Sequence, residues 1–288
     1  NGTIRMNYTD SDARYINGVV SRFSRTQEVE DLTYYQATIV PNLWFLTRTR
    51  DCRIYQSMDA VAIVKDVLKE LGITRLLEQE GIYYYFKHEN GKHTLVLINA
   101  SSLHEAQPDF AEMEFNPRDE GSVDQDSIYY WIEMGLFEST KFSYADYSLE
   151  TPKNIMFGES EVTRQYAKDH LVRFDYPGRY YAAGDATNYA KYRAEEFQAD
   201  YQTFKGECIV RGTACGALFA MTNYPLASQN TDYIITSTTI NVVGEDYTSN
   251  PVQEQKLDPF KCSFTAIRKT EQFRAESITP VPFVHGPQ

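Results

Sequence analysis

The chain has 288 residues, enough for one large or two ordinary domains, and its 42% hydrophobic content excludes wholesale disorder. Its 40 acidic against 28 basic residues leave a formal charge of −12, which repels phosphate backbones and anionic membranes and argues against nucleic acid as a partner. No stretch approaches the ~20 apolar residues of a membrane-spanning helix, and no signal peptide is visible, although a start at Asn1 rather than Met leaves the natural N-terminus open.

The 22 Tyr and 16 Phe favour strands, and the first predicted elements are strands. Alternation in "RYINGVVSRF" (14–23) and "YYQATIV" (34–40) gives two, with the polar "SRTQEVED" read as the loop between them and Pro41 closing the second. "CRIYQ" (52–56) offers a third. From Ser57 the period changes: Val61, Val64, Val67, Leu68 and Leu71 fall on one helical face, with Ser57 or Asp59 as N-cap and Gly72 as the stop. In "GIYYYFKHENGKHTLVLIN" the Asn90-Gly91 pair predicts a tight hairpin.

Further along, "NPRDEGSVDQD" (116–126) reads as a polar loop, "SIYYWIEM" (127–134) as a short helix, and "TKFSYADYSL" as strand. A second helix is predicted from Asp185 to Phe204, where Ala190, Ala194, Phe197, Tyr201 and Phe204 step by four and three residues before Gly206. "ECIVRG", "ALFAMTN", "YIITSTTINVV" and "KCSFTAIR" then read as a late series of strands.

The residues give little chemistry. A two-residue hairpin loop sets His88 opposite His93, but Glu89 and Lys92 point to the other face, so two ligands are in hand and no structural metal is expected. "HEAQP" at His104 lacks the second histidine of a zincin helix. No nucleophile elbow, Walker loop or dinucleotide fingerprint occurs. Cys215 has no nearby base and reads as a buried structural thiol, and the four cysteines, lacking a CxxC pair, read as free. Asp119, Glu120, Asp124 and Asp126 lack the alternation of a calcium loop, and Trp44 and Trp131 read as core aromatics. No catalytic residue and no cofactor is expected.

Several stretches nevertheless occur in the order of one family: "RYINGVVSRFSR", "YYQATIVPNLWFLTRTRDCRIYQ", "VKDVLKELGI", "LLEQEGIYYYFKHENGKHTLVL", "FDYPGRY" and "TPVPFVHGPQ". The chain resembles, over almost its whole length, the amino-terminal hub region of VgrG, the spike protein family of the bacterial type VI secretion system. That region is in turn similar to contractile phage baseplate hub proteins. The resemblance implies an α+β, mainly β fold of two β-barrel-like modules with an α/β insertion. It divides the chain into a first barrel module at 1–56, incomplete at its start, an α/β insertion at 57–115 and a second barrel at 116–268 with a docked helix near 185–204. Residues 269–288 would be a linker toward an OB-fold and β-helical needle, marked by Thr279, Pro280, Pro282, His285, Gly286, Pro287 and Gln288. Family members carry an extra segment between the positions of Thr74 and Arg75, so these two residues are expected to lie apart in space.

The function implied is mechanical and non-enzymatic. Three hubs would form a homotrimer that caps a hexameric secreted tube, meets baseplate components, and carries effector or adaptor proteins through a target-cell membrane. Such a protein would be made in the bacterial cytoplasm and exported by the type VI system. The alternatives are a phage-type tail baseplate hub and, third, a cell-wall glycan hydrolase.

Overall fold

The computed structural model describes residues 2–7, 13–29, 32–48, 58, 62–63, 74–117, 126–148, 150, 152–153, 155–164, 171–180, 182–242 and 260–279. It is mainly β and comprises two units, one from 1–97 with 275–288 and one from 98–274.

In the first unit β1 (Gly2–Asn7), β2 (Ala13–Val29) and β3 (Leu32–Val40) form an antiparallel sheet in that order. Of the expected loop "SRTQEVED", the described residues 24–29 are instead ladder: Ser24 pairs with Gln36, Glu28 with Thr33 and Val29 with Leu32. Strand pairing satisfies backbone groups whatever the side chains, so a polar run does not end it. After Pro41 the chain makes a 3-10 turn, Asn42–Arg48. The Arg48 guanidinium lies 4.4 Å from the Trp44 ring centroid, so Trp44 is half-buried under a cation rather than in the core.

The predicted strand at 52–56 lies outside the described residues; of the helix predicted from Ser57, Ala62 and Ile63 are described, and both are helical. Helix α1 (Thr74–Gln79) begins with Thr74 and Arg75 as consecutive residues, which corrects the expected break between them. Its Leu77 packs with Ile63, Leu76 and Ile82.

Strands β4 (Tyr83–Glu89) and β5 (Lys92–Ile98) form the predicted hairpin, with Gly91 at φ 69° in the left-handed region its turn requires. Asn17 of β2 holds this turn. Its side-chain amide donates to the carbonyls of Glu89 (2.7 Å) and Lys92 (2.9 Å), its side-chain oxygen accepts from Thr3 Oγ1 (2.8 Å), and its backbone N–H donates to His88 Nδ1 (3.1 Å).

In the second unit six strands form one sheet: β6 (Glu112–Glu114), β7 (Ile128–Gly135), β11 (Gln202–Cys208), β12 (Leu218–Thr222), β13 (Asp232–Val242) and β14 (Phe260–Arg268). Their order is β6-β12-β13-β14-β11-β7. The sheet curls until its edge strands touch: Phe115, just after β6, bridges Ile128, and Asn116 N–H donates to Ile128 O at 2.8 Å. Closure removes the exposed edges there. Inside, the Trp131 ring stacks on Phe204 at 5.2 Å and meets Tyr233 edge-on at 4.9 Å, with Phe219 and Phe264 completing the cluster. Gln229 supplies the polar partners such rings require, accepting from Trp131 Nε1 at 2.8 Å and from Tyr233 OH at 2.9 Å. Gly206 is obligatory, because a Cβ there would stand 2.4 Å from the Phe264 ring.

Three sequence expectations change here; of "ECIVRG", read as a strand, only Glu207 and Cys208 belong to β11, and residues 209–212 leave the ladder for a turn. Residues 128–135, read within a short helix, are β7: Ile, Tyr and Trp suit a pleated surface, and β7 pairs with β11. The second helix, now α2 (Ala183–Gln198), stops short of Tyr201 and Phe204. Phe204 keeps the spacing but is fully buried against Trp131, and strand pairing on both sides of β11 outweighs helical periodicity.

A second sheet orders β10 (Val172–Asp175), β8 (Lys141–Tyr147) and β9 (Ile155–Glu161) as β10-β8-β9. Helix α2 covers one face. Its Ala186, Ala190 and Ala194 are buried, and a Cβ on Gly158 of β9 would come within 2.3 Å of the Ala186 backbone. Small residues on both partners let helix and sheet approach closely. Phe142, Tyr144 and Met156 fill the rest of the contact.

Candidate functional site

Because side chains alternate along a strand, placing Phe142, Tyr144 and Met156 under α2 turns their neighbours to the opposite face. There the register sets Tyr147 beside Ile155, Ala145 beside Phe157, and Ser143 between Phe174 and Glu159. Ile155 is 72% exposed, Phe174 62%, Val172 55% and Phe157 51%. Taking ~200 Å² for a fully exposed aromatic side chain, these residues with Tyr147 present on the order of 500 Å² of apolar surface, near the upper end of the largest patch on an ordinary monomer. The patch has a polar margin, where Lys141 Nζ pairs with Glu159 at 3.0 Å.

The scaffold behind this face is held from several directions. Asp146 accepts from the backbone N–H groups of Tyr147 (2.8 Å) and Arg179 (2.6 Å), and Tyr180 OH donates to Met156 O at 2.7 Å. Burial first, then the Asp146 charge, push the Tyr180 phenol up to about 12, so it remains a donor throughout the ordinary pH range. Arg173 lies over the Phe197 ring of α2 at 4.0 Å and pairs with Glu138 at 3.2 Å. A preformed, braced apolar face is what an assembly surface requires, since little ordering entropy is left to lose on contact.

The expected linker marks are only partly within the described residues. Thr279 is described: its N–H and Oγ1 donate to the two carboxylate oxygens of buried Glu78 at 3.1 and 2.7 Å. Pro280, Pro282, His285, Gly286, Pro287 and Gln288 lie outside the described residues. Arg274, also in the expected linker, is buried and donates to Glu195 Oε2 at 2.8 Å and to Asn99 O. Sequence reasoning missed both clamps, because Glu78 and Thr279 are separated by 201 residues and Glu195 and Arg274 by 79.

His88 and His93 do face each other, with ring centroids 6.0 Å apart. His88 is occupied by the Asn17 N–H, and burial first, then the neighbouring His93 and Arg14, hold it below the usual imidazole range. Among the described residues no group of three or more His, Cys, Asp or Glu side chains could hold a metal ion, and no helix is long and apolar enough to cross a membrane. Of the acidic cluster, Asp119, Glu120 and Asp124 lie outside the described residues, and burial raises Asp126. Cys215 is exposed rather than buried, although its Sγ donates to Thr236 O at 3.1 Å.

A curled six-stranded sheet joined to a braced three-stranded sheet with an open apolar face defines a β-rich scaffold module. The chain belongs to the phage tail baseplate hub (GPD) family, whose sequence profile matches residues 1–75 and 72–245. The two matched stretches meet at the point where the sequence resemblance places an extra family segment. Among curated proteins, it is 32% identical to the type VI secretion system spike protein VgrG1c of Pseudomonas aeruginosa, over 96% of this chain and 42% of that one. It is 31% identical to VgrG1a of the same organism, over 96% and 47%. The chain thus spans less than half the length of these relatives. Among solved structures, an E. coli component of the type VI secretion system, described as similar to T4 phage tail proteins, superposes with a TM-score of 0.62 at 15% identity, covering 96% of this chain and 66% of that one. A tail protein from Neisseria meningitidis gives 0.59 at 8%, covering 91% and 83%. These two likenesses are of fold.

Proposed function

We propose that the chain is the hub part of a type VI secretion spike, a structural subunit that associates with copies of itself, seats on the secreted tube and is exported with it. The observation that carries this reading is the match to named spike proteins over 96% of the chain. The geometry supports it with a curled, barrel-like sheet and an open apolar face. Three-fold association, contact with a hexameric tube, baseplate contact and carriage of effectors or adaptors belong to the same proposal. So does the role of residues 279–288 as the lead into a needle. The work would be mechanical: a hub transmits load through backbone pairing and packed rings, and it needs no cofactor.

Complementation tests it. In a type VI-active strain lacking its own spike genes, a full-length gene containing this hub should restore tube protein to the culture supernatant. Normal expression of the hub with no secreted tube protein would contradict the reading. A phage-type tail hub is the second reading, favoured by the fold shared with the Neisseria tail protein. It predicts capture of a phage tail-tube protein in place of the secreted tube protein.

A further inference from the structure

Strands β11 and β14 lie side by side in the barrel, and their antiparallel register sets Cys208 directly opposite Cys262. Both are free thiols with no exposed surface. Directly opposed residues on antiparallel strands have Cα atoms about 4.5–5.5 Å apart, inside the range a disulfide spans. Their Cβ atoms, about 4.5–5.5 Å apart in such a pair, need to draw together by roughly 1–2 Å to reach the disulfide mean of about 3.8 Å. Inside the barrel, Cys208 Sγ lies 3.2 Å from Thr213 Oγ1. Thr213 donates its own proton to Val210 O at 2.8 Å, so its oxygen is left to accept from the Cys208 S–H.

We propose that Cys208 and Cys262 are a latent cross-strand disulfide, closed by thiol–disulfide exchange with a small-molecule or protein disulfide. The Cys208 thiolate attacks one sulfur of the oxidant RSSR, forming a mixed disulfide and releasing RS⁻. The Cys262 thiolate then attacks Cys208 Sγ, forming the cross-strand bond and releasing the second RS⁻. The two cysteine protons end on the two released thiols; the protein loses two electrons and the oxidant gains them. Because both sulfurs are buried, exchange takes place while the strands are open, during folding or refolding. The bond would then tie together two central strands of the barrel. The pairing rests on register and burial; only the place where oxidant is met, outside a reducing cytosol, rests on the export reading above.

The test is refolding of the full 288-residue chain in a mixture of reduced and oxidised glutathione, followed by alkylation and peptide mapping. The expected result is a peptide joining Cys208 to Cys262 in most molecules. It should persist in a Cys52→Ala/Cys215→Ala double variant and vanish in Cys208→Ala. The melting temperature of the oxidised protein should exceed that of the reduced protein by roughly 5 °C, because the cross-link restricts the unfolded chain. Free, alkylated Cys208 and Cys262 in the refolded protein would overturn the proposal. So would pairing of either with Cys52 or Cys215, or a lower melting temperature on oxidation. Wild-type mapping decides the matter even if the Cys208→Ala variant fails to fold.

Discussion

The six-stranded sheet of the second unit turns Trp131, Phe204, Phe219, Tyr233 and Phe264 inward, whereas the three-stranded sheet turns Ile155, Phe157, Val172 and Phe174 to solvent. Both are rich in large apolar side chains. In the barrel the rings pack on one another and their polar tips are satisfied by Gln229, so the structure itself explains why they are there. On the open face, apolar side chains at more than half exposure contribute nothing comparable to the isolated fold. Burial of that face behind a partner would supply the missing stabilisation, at about 25 cal/mol per Å² before the costs of association. The stability of the fold is therefore carried by one sheet, and under the proposed function assembly would be carried by the other.

The sharpest contrast comes from truncating one ring in each sheet. Trp131→Ala should cost about 3–5 kcal/mol, because it empties the ring cluster and leaves Gln229 Oε1 without its donor. Phe174→Ser on the open face should change stability by no more than about 0.5 kcal/mol. Urea denaturation of the two variants checks both, and similar losses from both would erase the distinction.

Next in size is a pair of glycines that serve the two sheets alike. Gly206→Ala drives a methyl into the Phe264 ring, and Gly158→Ala drives one into the backbone of α2 at Ala186. Each should cost about 1–3 kcal/mol by overpacking. Gly158→Ala should also disturb the open face, since α2 braces it from behind; weaker self-association in this variant than in Gly206→Ala would show that connection.

The smallest effect is pH dependence. His104, buried with Nδ1–H donating to Gly216 O at 2.8 Å, is held below the ordinary imidazole range by burial, with that hydrogen bond opposing. A histidine whose folded pKa is depressed binds its proton more readily when unfolded. Its neutral form thus supports the fold fully above the unfolded pKa of about 6.5, and the support is lost as pH falls from there toward the folded pKa. Melting temperature should decline between about pH 7 and pH 5, and less steeply in His104→Gln. An unchanged slope in the variant would remove His104 from the account.

Much of this division could be read from the chain, and what could not has a physical cause. The hairpin at Asn90-Gly91 and the late strands from Leu218 to Arg268 were legible because turn chemistry and alternation are local. "SIYYWIEM" and Phe204 misled because each sits where pairing with a distant strand overrides local period. The open face was hidden for another reason. Phe142 and Phe157 look alike in sequence, and only the docking of α2 decides which face is covered. The clamps at Glu78 and Arg274 depend on contacts made across the length of each unit, which no local pattern announces.

The central claim, that the β10-β8-β9 face is where this hub meets its neighbours, is tested most directly by sedimentation velocity across a concentration series, comparing the wild-type chain with an Ile155→Asp/Phe174→Asp double variant. Both positions are exposed, so the variant should fold with a melting temperature close to wild type. The account predicts a wild-type sedimentation coefficient that rises with concentration as weak oligomers form, and a variant that remains monomeric throughout. The same concentration dependence in both proteins would contradict it and place the assembly surface elsewhere on the molecule.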